Sequence, residues 1–208
     1  MKKIIVVLIC FLAIQASAQI TIKPGVRAGA NFSRLINTDL DAKTDFYVGG
    51  FVAIKLAKFY TLQPELTYSR QGGKGQFYFD DIDFGNGDPA FAQSADVDYQ
   101  IQYLSLGVMN KFKIIGGFHG VIGPNIDFKV GDNLKGFEED VVGLDLGLTL
   151  GFGYTLPIGL TFEARAKIGF LDIFGDDMYY DDTNYYNNRY GGDPVTNSTL
   201  QLGVAYQF

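Results

Sequence analysis

A strict two-residue alternation between apolar and small or polar side chains runs through residues 142–154. Its apolar positions are Val142, Leu144, Leu146, Leu148, Leu150, Phe152 and Tyr154, and the positions between them are Gly, Asp and Thr. Successive side chains of a β-strand point to opposite faces, so this period predicts a strand with one apolar and one polar face. A surface helix would instead repeat its apolar positions every three or four residues.

The same alternation recurs along the chain. It is seen in residues 26–32, 46–56, 60–68, 99–112, 122–128, 160–170 and 199–208. In residues 99–112 we expect a change of phase near Tyr103 and Leu104, for which a β-bulge is one explanation. Together with residues 142–154, these segments predict eight strands.

The predicted connections alternate between short and long. Short ones lie near residues 57–59, 114–118 and 157–159, and longer ones lie near residues 33–44, 71–97, 131–140 and 171–196. With both termini at one rim, every long connection lies at the opposite rim, which is typical of outer-membrane barrels. The sequence therefore predicts an all-β fold, an eight-stranded antiparallel up-and-down transmembrane β-barrel.

The direction of the polar face distinguishes this barrel from a soluble, lipocalin-like carrier, whose apolar face points inward. The apolar faces here carry almost no charge, and the polar faces are rich in Gly and Thr, which suits a crowded lumen. A basic side chain facing lipid at mid-depth costs roughly 2–4 kcal/mol. We therefore expect a polar network of mixed charge in the lumen, formed by Arg27, Lys55, Glu65, Asp127, Lys129, Asp145, Glu163, Arg165 and Lys167.

The first residues have the pattern of a secretory signal peptide. Lys2 and Lys3 precede an apolar run over residues 4–14, and Ala16, Ser17 and Ala18 form a small-residue cleavage site. We expect residues 1–18 to be removed and residues 19–208 to form the barrel domain. Cys10, the only cysteine, lies in the predicted signal peptide, so the mature chain is expected to have no disulfide and no cysteine metal site.

Several short motifs carry a family resemblance that extends over nearly all of the expected mature chain. They are Gly25-Val26-Arg27-Ala28-Gly29 with Asn31-Phe32, Leu62-Gln63-Pro64-Glu65-Leu66-Thr67-Tyr68, Tyr103-Leu104, Gly123-Pro124, Asp145-Leu146-Gly147 and Leu202-Gly203-Val204-Ala205-Tyr206-Gln207-Phe208. In these motifs the chain resembles the outer-membrane β-barrel domain family of Bacteroidetes, sometimes called PorT-like. The resemblance implies an eight-stranded barrel in the outer membrane and says little about activity.

The expected partners follow from this location. Lipid and lipopolysaccharide of the outer membrane would surround the barrel, with the long loops extracellular. Phe208 resembles the terminal aromatic residue by which the barrel-assembly machinery recognises its clients, and it also fits as the last lipid-facing residue of its strand. The formal net charge of −6 argues against a nucleic-acid partner held by phosphate contacts.

Enzymatic and metal-binding groups are sparse in the sequence. His119, the only histidine, lies beside the predicted turn at Gly116 and Gly117, where we expect it at the membrane interface rather than in a catalytic site. Asp145 and Glu163 are expected on neighbouring strands, where ion pairing with Arg165 and Lys167 is favoured over glycosidase-like catalysis. We predict no catalytic residue, no cofactor and no metal site.

The long loops contain the remaining candidate binding residues. Asp80, Asp81, Asp83 and Asp88 are weak candidates for binding Ca²⁺, although their spacing fits no EF-hand loop. Tyr78, Tyr179, Tyr180, Tyr185 and Tyr186 are candidates for binding an unknown extracellular ligand, because tyrosine with Asn, Gly and Ser is typical of adaptable binding surfaces.

The favoured hypothesis is a non-enzymatic outer-membrane barrel with a structural or surface-binding role through these loops. A narrow transport channel and an outer-membrane lipid-modifying enzyme that uses His119 are the two alternatives.

Overall fold

Eight β-strands, joined by turns and longer connections, form the part of the chain that the structure describes. This computed structural model describes residues 20–38, 40–79, 93–133, 142–173 and 194–208. The strands are β1 (Thr21–Ile36), β2 (Asp41–Lys55), β3 (Tyr60–Phe79), β4 (Gln93–Ile115), β5 (Phe118–Asp132), β6 (Leu144–Thr155), β7 (Leu160–Gly169) and β8 (Thr196–Gln207). Over these residues, no helix has the length and apolar character needed to cross a membrane.

The eight strands form one closed antiparallel barrel in which each strand pairs with the next along the chain. The barrel closes between the first and last strands, whose register runs from Gly25 opposite Gln207 to Ile36 opposite Thr196. Closure pairs the edge strands that an open sheet would expose. The predicted fold class is confirmed.

The two rims of the barrel differ in their connections. β2–β3, β4–β5 and β6–β7 are joined by turns of a few residues, which define the short-turn rim. Gly116 and Gly159 have φ angles of +57° and +88° in two of these turns, a backbone region that glycine adopts without a steric penalty. The strands joined by the other four connections end at the opposite rim, which we call the long-connection rim. The long connection predicted at residues 33–44 is wrong, because only residues 37–40 separate β1 from β2.

Several strands run further than the sequence predicts. Most of the predicted connection at residues 71–97 is strand, because β3 continues to Phe79 and β4 begins at Gln93. The ladder between them is unbroken from Gln71 opposite Ile101 to Phe79 opposite Gln93. Residues 33–36 and 41–44 are likewise strand. In these segments the backbone hydrogen bonds of the ladder hold the strands together without a regular apolar face. The apolar–polar alternation that predicts strands is therefore weak there.

The facing of the side chains is the reverse of that in a soluble barrel. Arg165 and Lys167 are only 2% and 6% exposed, whereas Leu146 and Phe162 are 42% and 53% exposed on the outer surface. Burial of the charged set with exposure of the apolar set is the pattern of a barrel surrounded by lipid. The soluble-carrier alternative is therefore wrong.

The expected change of phase in β4 does not occur. Ile101, Tyr103 and Met109 are all buried, while Leu104 and Leu106 face outward, so the alternation is continuous. The register shift in this region falls instead between Gln102 and Tyr103 in the pairing of β4 with β5, and it leaves an extra residue in β5. The change of phase in the sequence pattern arises because apolar side chains also occupy inward positions of β4.

Aromatic side chains form pairs on the outer surface near both rims. Near the short-turn rim they are Tyr60 with Phe112, Phe118 with Tyr154, and Tyr206 with Phe208, with ring centroids 5.3, 5.0 and 5.3 Å apart. Phe46 and Tyr68 lie 6.1 Å apart nearer the long-connection rim. The three pairs near the short-turn rim match one interfacial girdle of a membrane barrel, and Phe46 with Tyr68 lies on the side where the second girdle is expected.

Candidate functional site

Four charged side chains meet in the middle of the lumen and form the group that we call the lumen ring: Arg27, Glu65, Glu163 and Arg165. They come from β1, β3 and β7, and all four are buried. Each reaches the barrel interior because it occupies a polar position of an alternating strand. The ring contains two cations and two anions, so its formal charge is zero.

The ring is closed, since every member contacts both residues of opposite charge. Arg27 Nη1 lies 2.7 Å from Glu65 Oε1, and Arg27 Nη2 lies 2.7 Å from Glu163 Oε1. Arg165 Nη1 lies 2.9 Å from Glu65 Oε1, and Arg165 Nη2 lies 3.0 Å from Glu163 Oε2. Arg165 Nη1 donates to both oxygens of Glu65, at 2.9 and 3.0 Å.

Tyr47 packs against the ring from β2. Its hydroxyl donates to Glu163 at 3.3 Å, and the Arg27 guanidinium lies 4.9 Å from the centroid of its aromatic ring. The tyrosine fits there because Gly29 and Gly203 are neighbours on β1 and β8. A Cβ atom at Gly203 would lie 2.2 Å from the Tyr47 hydroxyl and 2.4 Å from a backbone oxygen. Glycine at this position therefore makes room for the tyrosine.

A second buried cluster lies beside the ring, toward the long-connection rim. Lys167 forms an ion pair with Asp127 and donates to the Ser105 hydroxyl at 3.0 Å. Asn125 donates to Asp127 at 3.3 Å and accepts from Thr149 at 3.0 Å. A cavity of about 20 Å³ between the two clusters is large enough for about one water molecule. The lumen at this height is filled by side chains.

The structure places six of the nine predicted lumen residues in these two clusters: Arg27, Glu65, Asp127, Glu163, Arg165 and Lys167. Lys129 is half-buried and pairs with Asp132 at 3.2 Å. Lys55 lies at the end of β2, exposed at the short-turn rim.

Asp145 and Glu163 lie on neighbouring strands as expected and both are buried, but they are far apart along those strands. Glu163 is opposite Gly153, and Asp145 lies eight positions away along β6, which corresponds to roughly 27 Å. Asp145 instead accepts a hydrogen bond from the backbone of Leu171 at 3.2 Å. This separation also removes the two carboxylates as a glycosidase-like pair.

Amide and hydroxyl side chains fill the lumen between the lumen ring and the long-connection rim. Asn31 donates to Ser69 at 2.8 Å, and Gln201 donates to Asn31 at 3.0 Å. Asn197 and Thr199 both donate to Gln71, at 2.5 and 3.1 Å. At the long-connection rim the filling becomes apolar, through Leu35, Leu40, Ile101, Tyr103, Ile173 and Val195, and these six residues form the mouth cluster.

His119 does not lie on a turn or on the outer interface as expected. It is a β5 residue whose side chain is buried and lines a cavity at the short-turn rim. Its Nδ1 lies 3.1 Å from the Gly117 carbonyl oxygen. Among the described residues, no serine and no carboxylate is hydrogen-bonded to the His119 imidazole. The groups of a hydrolytic triad are therefore not assembled around it.

No group of three or more metal-ligating side chains occurs within the described ranges. Asp80, Asp81, Asp83, Asp88, Tyr179, Tyr180, Tyr185 and Tyr186 lie outside the described residues. Tyr78 belongs to β3, and its backbone is opposite Ser94. The Ca²⁺ and loop-binding hypotheses therefore remain predictions.

Sequence reasoning missed Tyr47 as a partner of the ring and Lys111 as a residue of the cavity. Both occupy inward positions of their strands, so the alternation contains the signal for their facing. Their partners depend on the register around the closed barrel, which the sequence pattern does not determine.

Several solved structures are similar to this chain. A crystal structure of Neisserial surface protein A matches with a TM-score of 0.50 and 13% identity, covering 92% of this chain and 100% of that one. The attachment invasion locus protein Ail of Yersinia pestis gives 0.47 and 12%, covering 89% and 98%. OprG from Pseudomonas aeruginosa gives 0.43 and 13%, covering 90% and 94%.

No protein of curated function matches the chain. The structural likeness to Neisserial surface protein A supports the fold of an eight-stranded outer-membrane barrel. The sequence itself matches the family described as outer membrane protein beta-barrel domain over residues 15–175, more than half of its length. The chain belongs to this outer-membrane β-barrel family.

Proposed function

We propose that the protein is a non-enzymatic barrel of the outer membrane, with a plugged lumen and a surface-binding role. In this proposal the long-connection rim faces outside the cell. The segments with Asp81 and Tyr180 contact lipopolysaccharide or an extracellular ligand. The lumen serves to stabilise the barrel that holds these segments.

The closed lumen ring is the observation that carries the proposal. Two arginines and two glutamates bind one another across the lumen, and their contacts of 2.7 to 3.0 Å leave no free charge in the ring to conduct an ion. The mouth cluster adds an apolar layer at the long-connection rim. A conducting pore needs a continuous water path, and these two layers oppose one.

The enzyme alternative has little support from the site. His119 is directed into the barrel at the short-turn rim, away from the surrounding lipid that a lipid-modifying enzyme would need to reach. The chemistry left for the chain is therefore binding, and the long connections hold the tyrosines and aspartates suited to it.

Planar-bilayer recording tests the plugged lumen. We expect no conductance steps from the purified wild-type barrel. A variant with Arg27→Ala, Glu65→Ala, Glu163→Ala and Arg165→Ala keeps the formal charge of the lumen unchanged. With Leu35→Ala and Ile173→Ala added to open the mouth cluster, it is expected to conduct in its folded form. Steps of the same size from both proteins would contradict the plug.

The membrane location and orientation are tested in cells. We expect the protein in the outer-membrane fraction, with a heat-modifiable gel mobility. An epitope inserted after Tyr185 should be labelled by antibody on intact cells, whereas one inserted after Lys58 should be labelled only after lysis. Labelling at Lys58 alone on intact cells would reverse the orientation. Recovery of the protein as a soluble periplasmic species would overturn the class.

A further inference from the structure

A basic cavity of about 380 Å³ opens at the short-turn rim, below the lumen ring. Five lysines and the histidine line it: Lys23, Lys55, Lys58, Lys111, Lys113 and His119. We call it the basic cavity. Its volume lies within the range of small-molecule sites in proteins.

The lysines converge because of the barrel register. Lys55 lies opposite Thr21 at the start of β1, close to Lys23. Lys113 lies opposite His119 across the β4–β5 pair. The backbone N–H of Lys113 donates to the Phe59 carbonyl at 2.8 Å, which holds the turn with Lys58 against β4. β1, β2, the β2–β3 turn and β4 therefore supply one concentrated set of lysines.

The charge in the basic cavity is not balanced by the described residues that line it. None of the described residues that line it is an aspartate or a glutamate. None of its five lysines forms an ion pair within the described part of the chain, whereas both arginines of the lumen ring form two. This local excess occurs in a chain whose formal net charge is −6. A concave site lined by one sign of charge raises the local concentration of the opposite ion.

We propose that the basic cavity binds a phosphate-bearing anion, either a soluble phosphate compound or the headgroup of a phospholipid. Lysine is a point-charge donor with three hydrogens and is well suited to phosphate. Lys23 and Lys55 are exposed at the opening of the basic cavity, where an anion would enter, and Lys111 is half-buried deeper in the cavity. The proposal concerns the short-turn rim and is independent of any ligand at the long connections.

Calorimetric titration of the full refolded barrel tests the site, with inorganic pyrophosphate as the probe in maltoside micelles that contain no phosphate. We expect binding that weakens as salt is added. The variant Lys23→Gln/Lys55→Gln/Lys111→Gln should bind roughly tenfold or more weakly, because three charged hydrogen-bond donors to the phosphate are lost.

A charge-matched control comes from lysines outside the basic cavity. Lys43→Gln/Lys74→Gln/Lys129→Gln removes the same charge, and it should bind pyrophosphate as the wild type does. Heat-modifiable mobility verifies that both variants are folded. Equal weakening in the two triple variants would show non-specific attraction and overturn the site.

Nanodiscs distinguish the two sources of phosphate. If the ligand is a soluble phosphate compound, pyrophosphate should bind with the same affinity in micelles and in both phosphatidylglycerol and phosphatidylcholine nanodiscs. Loss of pyrophosphate binding in either kind of nanodisc assigns a lipid headgroup. Failure to bind pyrophosphate in micelles, together with equal retention of phosphatidylglycerol by wild type and the cavity triple variant, would refute the proposal.

Discussion

Arg27 and Glu163 contact each other at 2.7 Å although β8 lies between their strands in the sheet. Arg165 and Glu65 likewise meet across the lumen from β7 and β3. These contacts connect parts of the barrel wall that share no backbone hydrogen bonds. The centre of this protein is therefore ionic, and its apolar surface faces outward.

Removal of one charge from the lumen ring should destabilise the barrel strongly. Glu65→Gln leaves two buried arginines with one glutamate, and breaking a buried pair in this way costs about 3–5 kcal/mol. Urea unfolding in lipid vesicles measures the change. As a control, Asp98→Asn breaks the pair of Lys43 with a carboxylate that is 69% exposed, and it should cost clearly less than Glu65→Gln, whose carboxylate is buried.

The double variant Glu65→Gln/Arg165→Gln restores the charge balance of the ring. It should be more stable than Glu65→Gln alone, since the remaining arginine and glutamate neutralise each other. An additive loss in the double variant would show that the charges do not interact.

A charge on the outer face should be costly in proportion to its depth in the membrane. Leu150→Arg places a cation on the outer face at the middle of β6, beside the height of the lumen ring, and is expected to cost about 2–4 kcal/mol. Ile114→Arg, on the same outer surface at the short-turn rim, is expected to cost about 0–1 kcal/mol. Equal costs in vesicle unfolding would contradict the assigned position of the membrane.

The glycine beneath Tyr47 should not tolerate a side chain. Gly203→Ala places a Cβ atom against the Tyr47 hydroxyl and a backbone oxygen, and such overpacking typically costs about 1–3 kcal/mol. Gly120→Ala is the matched control, because a Cβ atom there has nothing within 4 Å. Folding yields and unfolding midpoints compare the two, and an equal effect would argue against the close packing of Tyr47.

Much of the architecture is predictable because lipid on one side and a packed lumen on the other enforce the alternation. From Leu144 to Tyr154 in β6, the apolar residues face outward and the small or polar residues face inward, as the pattern indicates. The same constraint predicts the burial of Arg165 and Lys167 in β7. A strand that extends past the lipid is not subject to this constraint. Residues 71–79 therefore resemble a loop in sequence although they are strand.

The partners within the lumen were less predictable. Asp145 and Glu163 lie in neighbouring strands, but the β6–β7 register separates them by most of the length of the barrel. Lys55 and Lys113 are far apart in sequence, and only the closed barrel brings them to one cavity. Strand facing follows from local sequence, whereas contacts across the lumen depend on the register of all eight strands.

Fluorescence quenching by brominated lipids measures the facing of the side chains most directly. The chain contains no tryptophan, so each single-tryptophan variant reports one position. Phe152→Trp and Leu106→Trp replace outward residues, while Tyr103→Trp and Met109→Trp replace buried ones. We predict strong quenching at the first two positions and little at the others in folded barrels. Strong quenching at Tyr103 and Met109 with protection at Phe152 and Leu106 would contradict the inside-out arrangement.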